Sequence, residues 1–304
     1  MVLNLSRRTA VVAGVMSIVA LGALTIALRP WTPTTIEACH VPTSAGPRAG
    51  MVWVPSGTFA MGSEFYPEEG PIREVTVQGF WMDRTEVTNR EFAEFVAATH
   101  YVTAAERLGK PGAAVFVVPT DNVDLSSAAA WWRYATGANW RHPGGTGTSI
   151  DGRDNYPVVA IAYEDALAYA KWKGRDLPSE NQWERAARAG ATALPEHEQP
   201  KSANTWQGVF PIIDTAEDGF SGIAPIGCFK PNSLGLYDMI GNVWELTSDL
   251  YASHTPAARV IKGGSFLCAP NYCQRYRPAA RQPQEEDLGT SHTGFRTILI
   301  APGP

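Results

Sequence analysis

The sequence predicts a single α+β domain, rich in loops and poor in regular secondary structure, behind an N-terminal apolar helix. Three observations carry this expectation. Glycine and proline number 28 and 23 among 304 residues, well above ordinary usage, and both interrupt helices and strands. Ten tryptophans and an apolar content of 44% supply a large core and aromatic anchors for long loops. The chain after residue 50 contains no second linker, no low-complexity tract and no repeat of solenoid length, so one domain accounts for it.

Residues 9–28 are twenty consecutive uncharged residues behind Arg7 and Arg8, long enough to cross a bilayer core as a helix. Residues 1–29 therefore read as a signal anchor that puts the rest of the chain on the extracytoplasmic side. A cleaved signal peptide is the alternative, with Ala20, Gly22 and Ala23 as small residues for a peptidase. Ser6-Arg7-Arg8 also partly matches a twin-arginine export signal. Residues 30–50, rich in Pro and Thr and without apolar period, form a linker, and residues 51–304 form the domain.

Within the domain, Met51 to Pro55 and Glu74 to Gln78 read as short strands. Thr88 followed by Glu91 makes a capping box for a helix that buries Phe92, Phe95 and Val96. Ser179 followed by Gln182 does the same ahead of Trp183, and a helix over Tyr163 to Lys173 stops at Gly174. With 25 basic and 30 acidic residues, net charge −5, the chain offers no field for a phosphate backbone, which excludes nucleic acid as a partner.

Of four cysteines, Cys268 and Cys273 lie five apart around Pro270, whose break in the chain favours a turn that brings both sulfurs together. Two soft thiolates suit Cu(I), and an isolated pair lacks the four ligands of a structural zinc site. Equally, an oxidising compartment would favour a disulfide between them. Spacing alone leaves both open.

The segment Ser265-Phe-Leu-Cys268-Ala-Pro-Asn-Tyr272-Cys273-Gln-Arg275-Tyr-Arg277 resembles the active-site segment of the formylglycine-generating enzymes, or sulfatase-modifying factors. Similar landmarks run in order over about 250 residues. They are Met51-Val-Trp-Val-Pro-Ser-Gly-Thr-Phe-Ala-Met-Gly62, Asp83-Arg-Thr-Glu-Val-Thr-Asn89, Ala138-Asn-Trp-Arg-His-Pro143 and Leu177-Pro-Ser-Glu-Asn-Gln-Trp-Glu184. Ala203-Asn-Thr-Trp-Gln-Gly208, Glu217-Asp-Gly-Phe220, Gly235-Leu-Tyr-Asp-Met-Ile-Gly-Asn-Val-Trp-Glu245 and Gly294-Phe-Arg296 follow. The Gly-Asn-x-Trp-Glu and Gly-Gly-Ser segments occur across a wider superfamily with iron enzymes and non-catalytic relatives, so the cysteine pair discriminates.

The resemblance implies a fold similar to a C-type lectin, Cys268 and Cys273 as Cu(I) ligands, and a substrate cysteine joining as third thiolate before O2 oxidises its β-carbon to formylglycine. Trp244, Ser265 and Tyr272 fall where the family places its oxygen pocket, although Trp244 read alone is equally a core anchor. The resemblance also implies two Ca2+ sites, one from Asn204, Thr205, Asp218 and Phe220, the other from Asp238, Gly241, Val243 and Glu245. Read alone, these are solvated turn residues. The implied partner is an unfolded sulfatase bearing Cys-x-Pro-x-Arg, engaged by a monomer.

The six histidines show no metal-binding spacing, which disfavours a histidine–iron site, and His142 beside Pro143 reads as structural. Cys39 and Cys228 match no active-site position and are either stray thiols or a tethering disulfide. Ala187 and Pro278 stand where secreted animal relatives carry disulfide cysteines, and no glycosylation sequon follows the apolar segment. Both lean towards a bacterial protein. The rival from another class is a non-catalytic lectin-like module that binds sulfatases, with Cys268 and Cys273 disulfide-bonded.

Overall fold

The structure is a computed structural model. It describes residues 39–42, 46, 48–107, 109, 111–120, 127–189, 198–252 and 257–304; the expected N-terminal helix lies outside them. Among the described residues no helix is long and apolar enough to cross a membrane.

Thirteen strands and three α-helices are described. In chain order they are β1 Met51–Val54, β2 Gly57–Met61, β3 Arg73–Val77, β4 Phe80–Asp83, α1 Asn89–Thr99, β5 Gly112–Phe116, β6 Trp132–Thr136, α2 Tyr163–Trp172 and α3 Glu180–Ala187. Then come β7 Gly208–Val209, β8 Ile213–Asp214, β9 Trp244–Leu250, β10 Ala258–Lys262, β11 Arg281–Glu285, β12 Thr293–Gly294 and β13 Ile298–Leu299. Long loops join these short elements, as the glycine and proline content predicts, all within one unit spanning Thr34–Pro304.

Two sheets organise the unit. One has the order β1-β4-β13, which pairs the start of the domain with its end. The other has the order β11-β10-β9-β12, with β12 parallel to β9 through Thr293 opposite Trp244. Pro283 sits in the edge strand β11, where a missing N–H does least harm. The remaining strands form the ribbons β2-β3, β5-β6 and β7-β8.

The helix signals act where the sequence placed them. Thr88 Oγ1 accepts from Glu91 N–H while Glu91 accepts from Thr88 N–H at 2.9 Å, completing the capping box of α1. Phe92, Phe95 and Val96, spaced three and four apart, then face one core. The reciprocal pair Ser179 and Gln182 opens α3 and sends Trp183 into the second core beneath β1 and β4. α2 ends before Gly174, whose φ of +66° suits glycine. Cys39 and Cys228, 189 residues apart, form a disulfide, so the alternative of two stray thiols is set aside.

Candidate active site

The turn predicted at Pro270 is present: Tyr272 N–H and Cys273 N–H both donate to Ala269 O, at 3.2 and 3.0 Å. Gly264 closes the loop from outside. A Cβ there would stand 2.5 Å from Arg275 O, so only glycine, at φ +79°, lets the segments entering and leaving the cysteine loop touch. The Cys268 and Cys273 sulfurs converge at 3.2 Å, unbonded, and both are buried. The structure thus holds them as free thiols beside a chain whose other two cysteines are bonded.

Their surroundings split the pair electrically. The hydrogen bond from Cys268 is the main force lowering Cys273, to about 7, and the Arg275 guanidinium 4.0 Å away assists against burial. Burial, then the neighbouring sulfur, pushes Cys268 well above its usual range. Arg275 is held by Glu68 at 2.5 Å and lies 4.1 Å from the Tyr66 ring centre. Arg277 is gripped by both oxygens of buried Glu69, at 2.8 and 2.5 Å. The 3-10 turn Pro67–Glu69 therefore fixes the exit of the cysteine loop.

A cavity of about 180 Å³ opens on the thiols. Trp244, Ser265 and Tyr272 line it together with Cys268 and Cys273, so all five predicted residues share one site. Trp244 opens β9 fully buried, Ser265 accepts from Leu267 N–H at 3.3 Å, and the Tyr272 ring stacks on Phe210 at 4.5 Å. Leu267 and Arg275 of the same segment line it too, and sequence reasoning missed Trp131, Trp132, Phe210, Gln282 and His292, which complete the lining. Only the abundance of tryptophan hinted at the aromatic walls. An open groove of about 610 Å³ beside it, lined by Tyr66, Asn271 and Gln274 among others, shares Tyr272.

The first implied Ca2+ set is one loop cluster. Asp218 accepts from Thr205 N–H at 3.1 Å and from Phe220 N–H at 3.0 Å, while Asn204 donates to Gly222 O at 2.8 Å. In the second set Gly241 is required, because a Cβ there would lie 2.3 Å from Asn204 O. Val243 and Asp238 are buried, and Asp238 accepts from Gly227 N–H at 3.0 Å. Glu245, by contrast, spends its oxygens on Arg296 and Trp183, at 2.6 to 2.7 Å. Among the described residues, the buried carboxylate oxygen without a hydrogen-bond partner belongs to Glu86, which sequence reasoning did not single out. Burial and then Asp238 raise Glu86 well above the usual range, and burial raises Asp238 to about 6. A buried oxygen left bare among carboxylates fits a hard cation.

Among the described residues no three His, Cys, Asp or Glu side chains are placed to hold a metal by themselves. The side chains here that suit a soft metal are the two thiols, and a hard cation would draw also on carbonyl and amide oxygens. His142 serves structure, its Nδ1 lying 2.6 Å from Thr148 O.

Burial depresses His292 to about 3, against about 6.5 for an exposed histidine. Between those values the unfolded chain binds a proton that the folded one refuses, so this residue costs stability as pH falls through the window. Replacing His292 with glutamine flattens the decline in Tm between pH 6.5 and 4; a profile parallel to wild type contradicts this assignment.

Fold and site together define a loop-rich α+β domain that presents two buried free thiols to an aromatic cavity. A family model for the sulfatase-modifying factor enzyme 1-like domain matches residues 38–301, and the chain belongs to that family. It is 46% identical to the formylglycine-generating enzyme of Mycobacterium tuberculosis over 289 residues, covering 82% of this chain and 97% of that one. The mouse formylglycine-generating enzyme, Mus musculus, is 42% identical, with 83% and 77% covered. A second mouse relative, named inactive C-alpha-formylglycine-generating enzyme 2, is 40% identical, with 84% and 87% covered, so overall likeness does not separate active from inactive members. The solved structure of PvdO from Pseudomonas aeruginosa shares the fold, with TM-score 0.59 at 23% identity over 86% of this chain and 97% of that one.

Proposed function

We propose that the chain is a formylglycine-generating enzyme, a copper-dependent oxidase that converts the cysteine of a Cys-x-Pro-x-Arg segment in an unfolded sulfatase into formylglycine. The observation that carries this reading is the pair of free thiols converging at 3.2 Å in an aromatic cavity. A module whose cysteines served only stability would bond them, as Cys39 and Cys228 are bonded. Cys268 and Cys273 would hold Cu(I), which supplies the one-electron route that O2 needs to oxidise a thiol-bearing carbon. Overall, the substrate CH2–SH, O2, two electrons from an external thiol and two protons give the aldehyde, sulfide and water.

The protein's own contribution is positioning and exclusion of water. Trp244, Trp131 and Phe210 wall the cavity, Ser265 and Tyr272 bring hydroxyls to it, and the hydrogen bond from Cys268, assisted by Arg275, lowers Cys273 to about 7. The open groove sharing Tyr272 offers main-chain room for an extended segment on either side of the reacting cysteine. An apolar N-terminal anchor would hold this site on the outer face of a membrane, where a sulfatase emerges unfolded.

Ca2+ at the two loop clusters would fasten β9 to the loops on either side of Gly241 and take up the charge of Asp238 and Glu86. Saturating calcium then raises the Tm of chelator-treated protein by mass action; a Tm indifferent to calcium contradicts these sites. The function is tested by incubating the full chain, loaded with Cu(I), with a synthetic Cys-x-Pro-x-Arg peptide under oxygen and a thiol reductant. Mass spectrometry should find the aldehyde. Persistent recovery of the unchanged peptide from copper-loaded protein favours the binding module instead.

A further inference from the structure

Neither the thiol pair nor the calcium clusters account for the disulfide between Cys39 and Cys228. Both of its cysteines are partly exposed, whereas Cys268 and Cys273 are buried. Residues 39–42 form a strap, and among the described residues no hydrogen bond holds it. The disulfide holds it instead, together with Val41, which seats on Gly227. A Cβ at Gly227 would lie 2.4 Å from Val41 Cγ2, and the φ of +75° also suits glycine.

The bond leads from the strap to the second calcium set. Ile226 N–H donates to Asn155 O at 2.9 Å, and Gly227 N–H donates to Asp238 Oδ2 at 3.0 Å. The residue next to Cys228 thus steadies a carboxylate of that set.

At its other end the bond opens on a cavity of about 470 Å³, the size of a small-molecule site. Of the two cysteines it is Cys39 that lines this cavity, with the strap on one side and Arg84, Arg90, Lys173 and Arg175 on the other. The acidic residues there are Asp83, Glu86 and Glu91. Asp83 is committed to Arg175 at 2.6 Å and Glu91 to the cap of α1, while Glu86 accepts from Asn242 at 3.0 Å. Arg84 Nε is buried without a hydrogen-bond partner among the described residues, and Lys173 lies 4.9 Å from the Trp172 ring centre. The cations are less committed than the acids, so the cavity favours an anion, and the anion that reacts with a disulfide is a thiolate.

We propose that this cavity is a thiol–disulfide exchange site for a small anionic thiol, and that Cys39–Cys228 is a reducible latch on the loop that holds Asp238. The thiolate attacks Cys39 Sγ, the S–S bond breaks, and Cys228 leaves as thiolate. A second thiolate attacks the reagent sulfur of the mixed disulfide, freeing Cys39 and releasing the reagent as its own disulfide. Two reagent thiols thereby supply two electrons, and both cysteine thiolates take up protons. The strap then leaves Gly227, and the N–H donated to Asp238 loses its support. The coupling to calcium rests on the calcium reading above; the exchange site does not.

The experiment exposes the copper-free full chain to mercaptoethanesulfonate or to cysteamine, with time points quenched for mass spectrometry of the Cys39 and Cys228 peptides. Each rate is divided by that thiol's rate with a small free disulfide. The sulfonate should open the bond on the order of tenfold faster than cysteamine at low salt, and the advantage should shrink to about twofold at about 1 M salt. Arg84→Gln combined with Lys173→Gln should abolish it, and the first adduct should sit on Cys39. Equal rates for the two thiols, or a first adduct on Cys228, overturn the exchange site. Calcium titrations then compare oxidised and reduced wild type. Opening the bond should raise a calcium Kd about fivefold or more, so the Tm gap between the two forms widens when calcium is present. A gap that calcium does not change, or a reduced chain with no melting transition, makes the bond purely structural and overturns the latch. If calcium leaves the Tm of the oxidised protein unmoved, the calcium reading fails and the latch with it, and the exchange site is judged by the rates alone.

Discussion

Cys273→Ala should lower conversion of the Cys-x-Pro-x-Arg peptide by about a thousandfold or more, because the two thiols act as one unit and losing either removes the site. The reason is geometric and electrical together. Cys273 is the sulfur lowered to about 7, by Cys268 and then Arg275, while burial and the neighbouring sulfur push Cys268 up, so the two thiols are unlike and a cation bound by both would have to displace the proton of Cys268. Cys268→Ala should therefore be equally inactive. Both side chains are small and buried, so each variant should keep its fold and melt within a few degrees of wild type. Single-turnover mass spectrometry beside Cu(I) competition with a chelator separates the outcomes. More than about a tenth of wild-type turnover in either variant would mean that the pair is structural.

The second large effect concerns Arg296, which is fully buried and spans the two sheets' junction. Its fork takes both oxygens of Glu245, at 2.6 and 2.7 Å, and it also donates to the carbonyls of Tyr237, Asp83 and Arg84. Arg296→Met strips the counter-charge from Glu245 while Glu86 and Asp238 stand nearby. The expected cost is roughly 3–5 kcal/mol, the range for removing one partner of a buried pair. Tm should fall on the order of 10 °C for a domain of this size. Lysine cannot replace the planar fork and should recover little. Pairing Arg296→Met with Glu245→Gln should recover part of the loss, since the orphaned charge goes with the arginine's partner. A single variant that melts like wild type would show that the junction does not depend on this ion pair.

Much of the site was legible in the sequence where its causes are local. The capping boxes at Thr88 and Ser179 need only three following residues, and both open helices as expected. The turn at Pro270 likewise places Cys268 against Cys273 from within a six-residue segment. Trp244, Ser265 and Tyr272 were found through the order of motifs along the chain, and the cavity unites them. What stayed hidden depends on distant partners. Glu68 and Glu69 meet Arg275 and Arg277 across more than 200 residues, and nothing near either pair announces the other.

The sequence by itself determined the class of domain, its short elements, its thiol pair and its family, because propensity, capping and motif spacing act over a few residues. Only the tertiary structure decided that Cys39 bonds Cys228, that Glu86 rather than Glu245 keeps a bare oxygen, and that His292 lines the thiol cavity. Each of these depends on which distant groups share a buried space. Burial is also what sets a protonation state and leaves a polar atom paired or bare, so the chemistry of those residues is a property of the packed chain.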